Sequence, residues 1–321
     1  MIKSLASACT VATLLLGTAQ LHAQDYPRGP ITLVIPLAPG DATDIAARTI
    51  ADELSRELKI PIVPVNRPGA GGALGTDSVV KARKDGYTIL LTNNAALIFR
   101  AILDPKNVTY DPLRDLTPLG LAMRTPMVVV ARGDAPYKNF GELVEFSRQN
   151  PGKVRVGTAG VGSVGDFCIQ LINSLTGAGL TTVPFTGASP ALTAVRGGHV
   201  ESTVLALGTM TSHLKSGAVR GIVMSSKYRD FPDIPTLSEL GYPQPLFGVW
   251  VAFFAPAGVP AEATNALVPA LERAVKAPAV AAKLQPLGIV PDYAAPDRVL
   301  AEIRAEHKQV DEIARKAGLV K

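Results

Sequence analysis

Three turns rich in glycine and hydroxyl residues carry the chemistry this chain can offer, each lying where an apolar strand gives way to a helix. The first is Pro36-Leu37-Ala38-Pro39-Gly40-Asp41-Ala42-Thr43-Asp44. Free N–H groups and the dipole at a helix start suit a carboxylate or phosphate, and Gly40 lets a ligand approach the backbone closely. Asp41 and Thr43 are equally good helix caps, and Asp44 sits well in a first turn. For these side chains capping and ligand contact stand even, whereas the loop backbone points to a ligand. The second turn runs from Gly157 to Gly165 and holds a formal GxGxxG at Gly160, Gly162 and Gly165. A dinucleotide site wants an acidic residue about 20 positions on, at the end of the next strand. Pro184 and Phe185 stand there, so the better account is a second anion-binding turn facing the first, with Ser163 and Val164 at the helix start. The third, Pro184-Phe185-Thr186-Gly187-Ala188-Ser189-Pro190-Ala191, approaches a nucleophile elbow. Ala191 stands where that motif wants glycine, and Pro190 follows the serine.

Hydrolysis needs a base for Ser163 or Ser189, and neither His199 nor His213 is singled out by spacing or context. No HExxH, paired-cysteine or acidic metal motif occurs, so neither metal nor cofactor is expected. Asn93 and Asn94 follow an apolar strand at its carboxyl end, where α/β proteins place ligands, although either asparagine alone also suits a turn. The stretch VNRPGAGGALGTDSVVKARKDGYT, 65–88, is a further strand-to-helix turn with Gly69, Gly71, Gly72 and Gly75. It lacks the Gly-Lys-Ser/Thr ending of a phosphate-binding loop.

These turns must be held by elements, and the chain alternates apolar strands with amphipathic helices, the mark of an α/β protein with mainly parallel sheets. Strands are expected at Ile31–Leu37, Ile62–Val65 and Thr88–Leu91. In the helix Thr43–Leu58, Ala46, Ile50, Leu54 and Leu58 recur every fourth residue. A long apolar run from Leu119 to Ala131 breaks at Thr125-Pro126. A second unit follows, with strands at Val154–Gly157, Thr181–Phe185, Glu201–Leu205 and Gly221–Met224 and helices at Phe140–Asn150 and Asp166–Thr176. The proline-rich segment 231–245 reads as a crossover back to a strand at Trp250–Phe254, and helices at Ala261–Ala277 and Pro296–Ala317 close the chain. The expected architecture is two lobes joined by two crossings, built on mixed, mainly parallel sheets with a cleft between the lobes.

Lys3, the leucine-rich run Val11–Gly17 and Leu21-His22-Ala23 form a cleavable signal peptide over residues 1–23, too short in its apolar part to span a bilayer. Its removal takes Cys9 and leaves Cys168, which cannot form an internal disulfide and sits in FCIQLI as a small buried hydrophobe. The chain has 321 residues and a net charge of +5; losing Lys3 lowers this to about +4, with no dense basic cluster. Aromatic residues are only 5%, which gives no stacking surface for nucleic acid.

Taken in order, these pieces resemble the Bug-type solute receptors of tripartite tricarboxylate transporters. The blocks are YPRGPITLVIPLAPGDATDIAAR, VNRPGAGGALG with DGYTILL, GTAGVGS, VPFTGASPAL with RGGHVES, FPDIPTLSELGYP and W-x-x-FFAPAGVP. The resemblance implies a two-lobed type II periplasmic binding protein that closes over its ligand and docks on a membrane permease. It implies carboxylates held by the turns at Ala38 to Asp44 and Gly160 to Val164, partly through water. Lobe 1 is expected over 24–123 and 248–321, and lobe 2 over 124–247. Several positions depart from the family pattern: Asp41 replaces a common glycine, Thr186 a frequent arginine, Asp166 a frequent histidine, and Ala194 and Ala206 frequent aspartates. Asp41 either meets an ammonium or hydroxyl group of the ligand or points to solvent and caps the helix.

The expectation is a monomeric extracytoplasmic receptor for a small organic acid, performing no chemistry. Its candidate ligand-binding residues are Leu37, Ala38, Gly40, Asp41, Thr43, Asp44, Asn93, Gly160, Gly162, Ser163, Val164, Thr186, Gly187, Ser189 and Ala206. The alternatives are a periplasmic serine hydrolase and a module that reports ligand to a membrane sensor.

Overall fold

The computed structural model describes residues 26–320, so the expected signal peptide lies outside the described residues. Strands β1 (Ile31–Ile35), β2 (Ile62–Asn66), β3 (Thr88–Asn93) and β4 (Leu116–Thr125) build the first sheet, interleaved with helices α1 (Ala42–Leu58), α2 (Ala73–Val80) and α3 (Arg100–Leu103). After Pro126 come β5 (Met127–Arg132), α4 (Phe140–Gln149), β6 (Arg155–Thr158), α5 (Val164–Thr176), β7 (Thr181–Pro184), α6 (Ala188–Arg196), β8 (Ser202–Ala206), α7 (Leu207–Lys215) and β9 (Val219–Met224). The chain returns through β10 (Val249–Pro256), α8 (Ala261–Lys276), α9 (Pro278–Leu284), β11 (Val290–Pro291) and α10 (Pro296–Lys316). The first sheet has the order β11-β4-β10-β3-β1-β2 and the second β7-β6-β8-β5-β9.

Both sheets are mixed as expected, with four parallel and five antiparallel strand pairs among the described residues. β1 pairs parallel with β2 and β3, and β6 with β7 and β8. β10 runs against both β3 and β4, β5 against both β8 and β9, and the short β11 against β4. The reason is topological. β5 and β10 are the strands that enter each sheet from the other, and each inserts between two strands running the opposite way. Apart from the short β11, which follows β10 and shares its direction, the remaining strands of each sheet run one way.

α1 shows how sequence becomes packing. Ala46, Ile50 and Leu54 are fully buried against the sheet, α8 and α9, each large side chain contributing about 1.5–3 kcal/mol by burial. The helix stops at Lys59, held in the left-handed region at φ 55°. Cys168 is buried as expected, its thiol donating to the Phe247 carbonyl at 3.6 Å and pushed up to about 12 by burial. The two crossings meet at Pro126 and Gly248, where a Cβ on Gly248 would lie 3.3 Å from the Thr125 carbonyl. Beside them Phe99, Phe167 and Phe247 pack edge to face in all three pairs, with centroids 5.2 to 5.5 Å apart, so a ring from each sheet's helical layer is clasped at the hinge. Among the described residues no helix is long and apolar enough to cross a membrane.

Candidate functional site

Four strands of common direction, β1, β6, β7 and β8, end at the interface between the sheets, and each hands the chain to a helix that starts there. Asp41 caps α1 with its Oδ1 accepting from Thr43 N at 2.8 Å, and Ser163 caps α5 with its Oγ accepting from Asp166 N at 3.2 Å. Gly187 precedes α6 in an extended positive-φ conformation (φ 144°), and Ala206 precedes α7. β3 ends at Asn93, whose Oδ1 accepts from Ala96 N at 3.4 Å as the chain enters a π-helical turn, Ala95–Phe99.

The termini enclose an inner cavity of about 40 Å³, lined among others by Leu37, Asp41, Gly71, Asn93, Ser163, Val164, Ala188 and Ala206. By the same measure one water needs about 10–15 Å³, so this space suits a compact head group. Through Leu37, Gly71 and Ala159 it adjoins an outer hollow of about 260 Å³ bordered by Ala38, Arg100, Gly160, Phe185, Thr186 and Gly187. Among the described residues no lysine, arginine or histidine lines the inner cavity, and Asp41 is the one ionisable residue that does. The converging helices turn their positive dipole ends toward this space, which favours an anion there, although the first N–H groups of α1 and α7 are spent on Thr209, Asp41, Pro126 and Thr125.

Each of the two principal turns is held from behind by the same device. Gly40 N donates to Asp44 Oδ2 and Gly162 N to Asp166 Oδ2, both at 2.9 Å. Asp44 also accepts from Arg48 Nε at 3.0 Å and Asn66 Nδ2 at 2.8 Å, while Asp166 accepts from Gln170 Nε2 at 3.2 Å. Burial holds the Asp166 carboxyl above its ordinary range. Both acids shape their turns and spend their hydrogen bonds inside the protein.

The placement of the expected site residues divides them. Leu37, Asp41, Asn93, Ser163, Val164 and Ala206 line the inner cavity, and Ala38, Gly160, Thr186 and Gly187 border the outer hollow. Gly40, Thr43, Asp44, Gly162 and Ser189 border neither. Ser189 instead donates from Oγ to the Pro39 carbonyl at 3.0 Å, across the cleft. Neither serine has a histidine partner: Ser163 caps its helix and Ser189 ties the lobes. The solvent-facing alternative for Asp41 is overturned, because the residue is 8% exposed and caps α1 while lining the cavity. Among the described residues no group of three or more His, Cys, Asp or Glu side chains is placed to hold a metal.

Sequence reasoning missed Gly71, Ala95, Met127, Ala159, Gly165, Ala188, Val204, Leu205 and Val249. Gly71, Ala159, Gly165 and Ala188 lie in turns the sequence had marked, and the other five are apolar positions without a chemical signature. Gly71 belongs to a loop recognised as a turn, and its φ of 60° lets the chain pass beneath Val161. Arg100 was also missed. It is 6% exposed in an otherwise apolar run, and a buried guanidinium must be paired. Its Nη2 donates to Asp104 Oδ2 at 2.6 Å and its Nη1 to the Val161 carbonyl at 2.5 Å across the cleft. With Ala42 N donating to Thr209 Oγ1 at 3.2 Å, these contacts tie elements of the first sheet to elements of the second.

A sequence profile described as the tripartite tricarboxylate transporter family receptor matches residues 46–319. Protein BugT of Bordetella pertussis is 32% identical over 305 residues, spanning 94% of this chain and 92% of its own length. MatC from Rhodopseudomonas palustris, solved with bound malate, superposes with a TM-score of 0.85 at 31% identity over 90% of this chain and 99% of that one. An R. palustris protein solved with adipate gives a TM-score of 0.87 at 28% identity, covering 92% and 99% of the two chains.

Proposed function

The chain belongs to the tripartite tricarboxylate transporter receptor family, and from that premise we propose that it is an extracytoplasmic receptor for a small organic acid, an aliphatic or aromatic mono- or dicarboxylate. It passes this ligand to the membrane permease of a tripartite tricarboxylate-type transporter. One observation carries the reading: the starts of α1, α5, α6 and α7 converge on a cavity that no basic side chain lines. Such a site binds a carboxylate by backbone N–H groups and helix dipoles, and it offers no activated nucleophile. The relatives solved with malate and adipate support the carboxylate. The ligand sits in the inner cavity against Asp41, Asn93, Ser163, Val164 and Ala206, its tail reaching the outer hollow past Ala38, Gly160, Thr186 and Gly187. Residues 1–23 direct export to the periplasm, the segments 24–123 with 248–321 and 124–247 act as the two lobes, and the protein works as a monomer.

The test is a melting screen of the mature protein against aliphatic and aromatic mono- and dicarboxylates. A ligand that binds only the native state stabilises it by RT ln(1 + [L]/Kd), about 2.7 kcal/mol at a hundredfold excess over Kd. A shift of the melting temperature by carboxylates and not by sugars or cations is expected. If only sugars or cations shift it, the organic-acid reading is wrong. Ligand turnover of esters or amides, abolished by Ser163→Ala or Ser189→Ala, would overturn the receptor in favour of a hydrolase.

Closure has its own test at Arg100. Arg100→Met keeps the apolar stem and removes the bond to the Val161 carbonyl, a charged-donor contact worth about 1.5–3 kcal/mol before water replaces it. The closed form should weaken, and ligand should leave roughly tenfold faster by stopped-flow. An unchanged release rate would show that this bond does not hold the lobes together.

A further inference from the structure

We propose that the ligand carries an ammonium group beside its carboxylate and that Asp41 is the residue that selects it. This rests on the receptor reading above and narrows its ligand to amino acids.

The case begins with what surrounds Asp41. Among the described residues it is the one ionisable residue lining the inner cavity, and it is 8% exposed. Its neighbour Asp44 is compensated by Arg48, Asn66 and Gly40 N, and Asp166 by Gly162 N and Gln170. Asp41 has no cation. Its hydrogen-bond partner is Thr43, the second residue of the helix that Asp41 caps. Burial accordingly holds its carboxyl above the ordinary range, opposed by the Thr43 bonds and reinforced by nearby Asp44. The N-terminal dipole of α1 offsets part of the cost of burying this charge and falls short of a counter-ion.

The rest of the lining does not supply one. Met127, Val204, Leu205 and Val249 are apolar. A second carboxylate of a simple dicarboxylic acid placed here would face Asp41 in a confined, poorly solvated space, which Coulomb repulsion disfavours. A hydroxyl would give a hydrogen bond and leave the charge uncompensated. An ammonium supplies both the donor and the opposite charge. Its own carboxylate then lies toward the starts of α5 and α6, where N–H groups and dipoles favour it. The inner cavity fits this compact head group, and the side chain of the amino acid extends past Gly71 and Ala159 toward the outer hollow.

The experiment uses matched series that differ at one substituent: alanine, lactate and propionate, and aspartate, malate and succinate. Each is titrated by calorimetry into the mature wild-type protein and into Asp41→Asn. Asparagine caps a helix as well as aspartate does, so the variant keeps its fold. In the wild type the amino acid of at least one series is expected to bind roughly tenfold or more tighter than the des-amino acid, with the hydroxy acid between them. In Asp41→Asn that ratio should collapse toward one, with the amino acid weakened and the des-amino acid strengthened. Des-amino acids that bind the wild type as tightly as amino acids would overturn this inference and leave the carboxylate receptor standing. A ratio unchanged by Asp41→Asn would remove Asp41 as the selector. If no carboxylate of either series or of the broader screen binds, the receptor reading fails and this inference with it.

Discussion

Gly208→Leu is expected to weaken ligand binding on the order of 100-fold while the protein stays folded. Gly208 lies in the first turn of α7, on the second sheet's side of the cleft. A Cβ there would sit 2.4 Å from Ile289 Cγ1 and 2.9 Å from Ala42 Cβ, both on the first sheet's side. The Ile289 tip can swing away, but Ala42 is the first residue of α1 and has no rotamer to change. Relief must come from the lobes moving apart, which also stretches the bond from Ala42 N to Thr209 Oγ1. Overpacking of about 1–3 kcal/mol and a hydrogen bond of about 0.5–1.5 kcal/mol act on the closed form alone. The apparent affinity falls by the fraction of molecules still able to close. Calorimetry with the best carboxylate of the melting screen, beside circular dichroism to verify the fold, decides the matter. Wild-type affinity in a folded Gly208→Leu protein would mean that this contact is not part of the binding-competent state.

The second large effect is a loss of stability with rising pH that originates in α10. Glu306 receives a hydrogen bond from Asn94 Nδ2 at 2.9 Å on Oε1 and another from Trp250 Nε1 on Oε2. Asn94 also donates to the Gly248 carbonyl at 3.1 Å, so the carboxyl braces the hinge and the strand end that carries Asn93. Burial pushes Glu306 up to about 7, with Glu302 raising it further and Trp250, Asn94 and Arg124 opposing. The folded protein therefore holds this proton more tightly than the unfolded chain does. Its contribution to stability is complete below the ordinary glutamate range and is lost as pH rises through about 7. A cavity of about 410 Å³ adjoins Glu306 and screens part of the effect, leaving about 2–3 kcal/mol across the window. The raised Asp41 and Asp166 carboxyls act with the same sign, and His213, lowered by burial, acts against it. Comparison with Glu306→Gln isolates the one group, because the amide does not titrate and its lost acceptor adds a constant offset. Urea unfolding at pH 5, 6, 7 and 8 should fall more steeply for the wild type. Parallel curves would exclude Glu306 as the source.

Local patterns were legible because they are written in nearest neighbours. Ala46, Ile50 and Leu54 at a spacing of four marked α1, and the break at Thr125-Pro126 marked the point where the chain leaves one sheet for the other. The three strand-to-helix turns were legible for the same reason: glycine, serine and aspartate at a strand end declare a helix start before any contact is known. The family resemblance, spread over blocks along the whole chain, was legible too, and the family profile matches residues 46–319.

The sequence alone determined which strand-to-helix turns border the cavity; only the tertiary structure decided which of their residues line it and brought Met127, Val204, Leu205 and Val249 beside them. Asp41 and Asp44 lie three residues apart, yet one lines the cavity and the other is spent on Gly40, Arg48 and Asn66. Ser163 and Ser189 read alike in sequence, and one faces the cavity while the other bridges the cleft. Arg100, Gly208 and Glu306 gave no local signal because their partners lie 61 residues away at Val161, across the cleft at Ala42 and Ile289, and 212 residues away at Asn94. Periodicity and turn chemistry act over a few residues of chain. The electrostatics of a buried charge and the closure of two lobes depend on what long-range packing brings beside each group, and no local pattern encodes that.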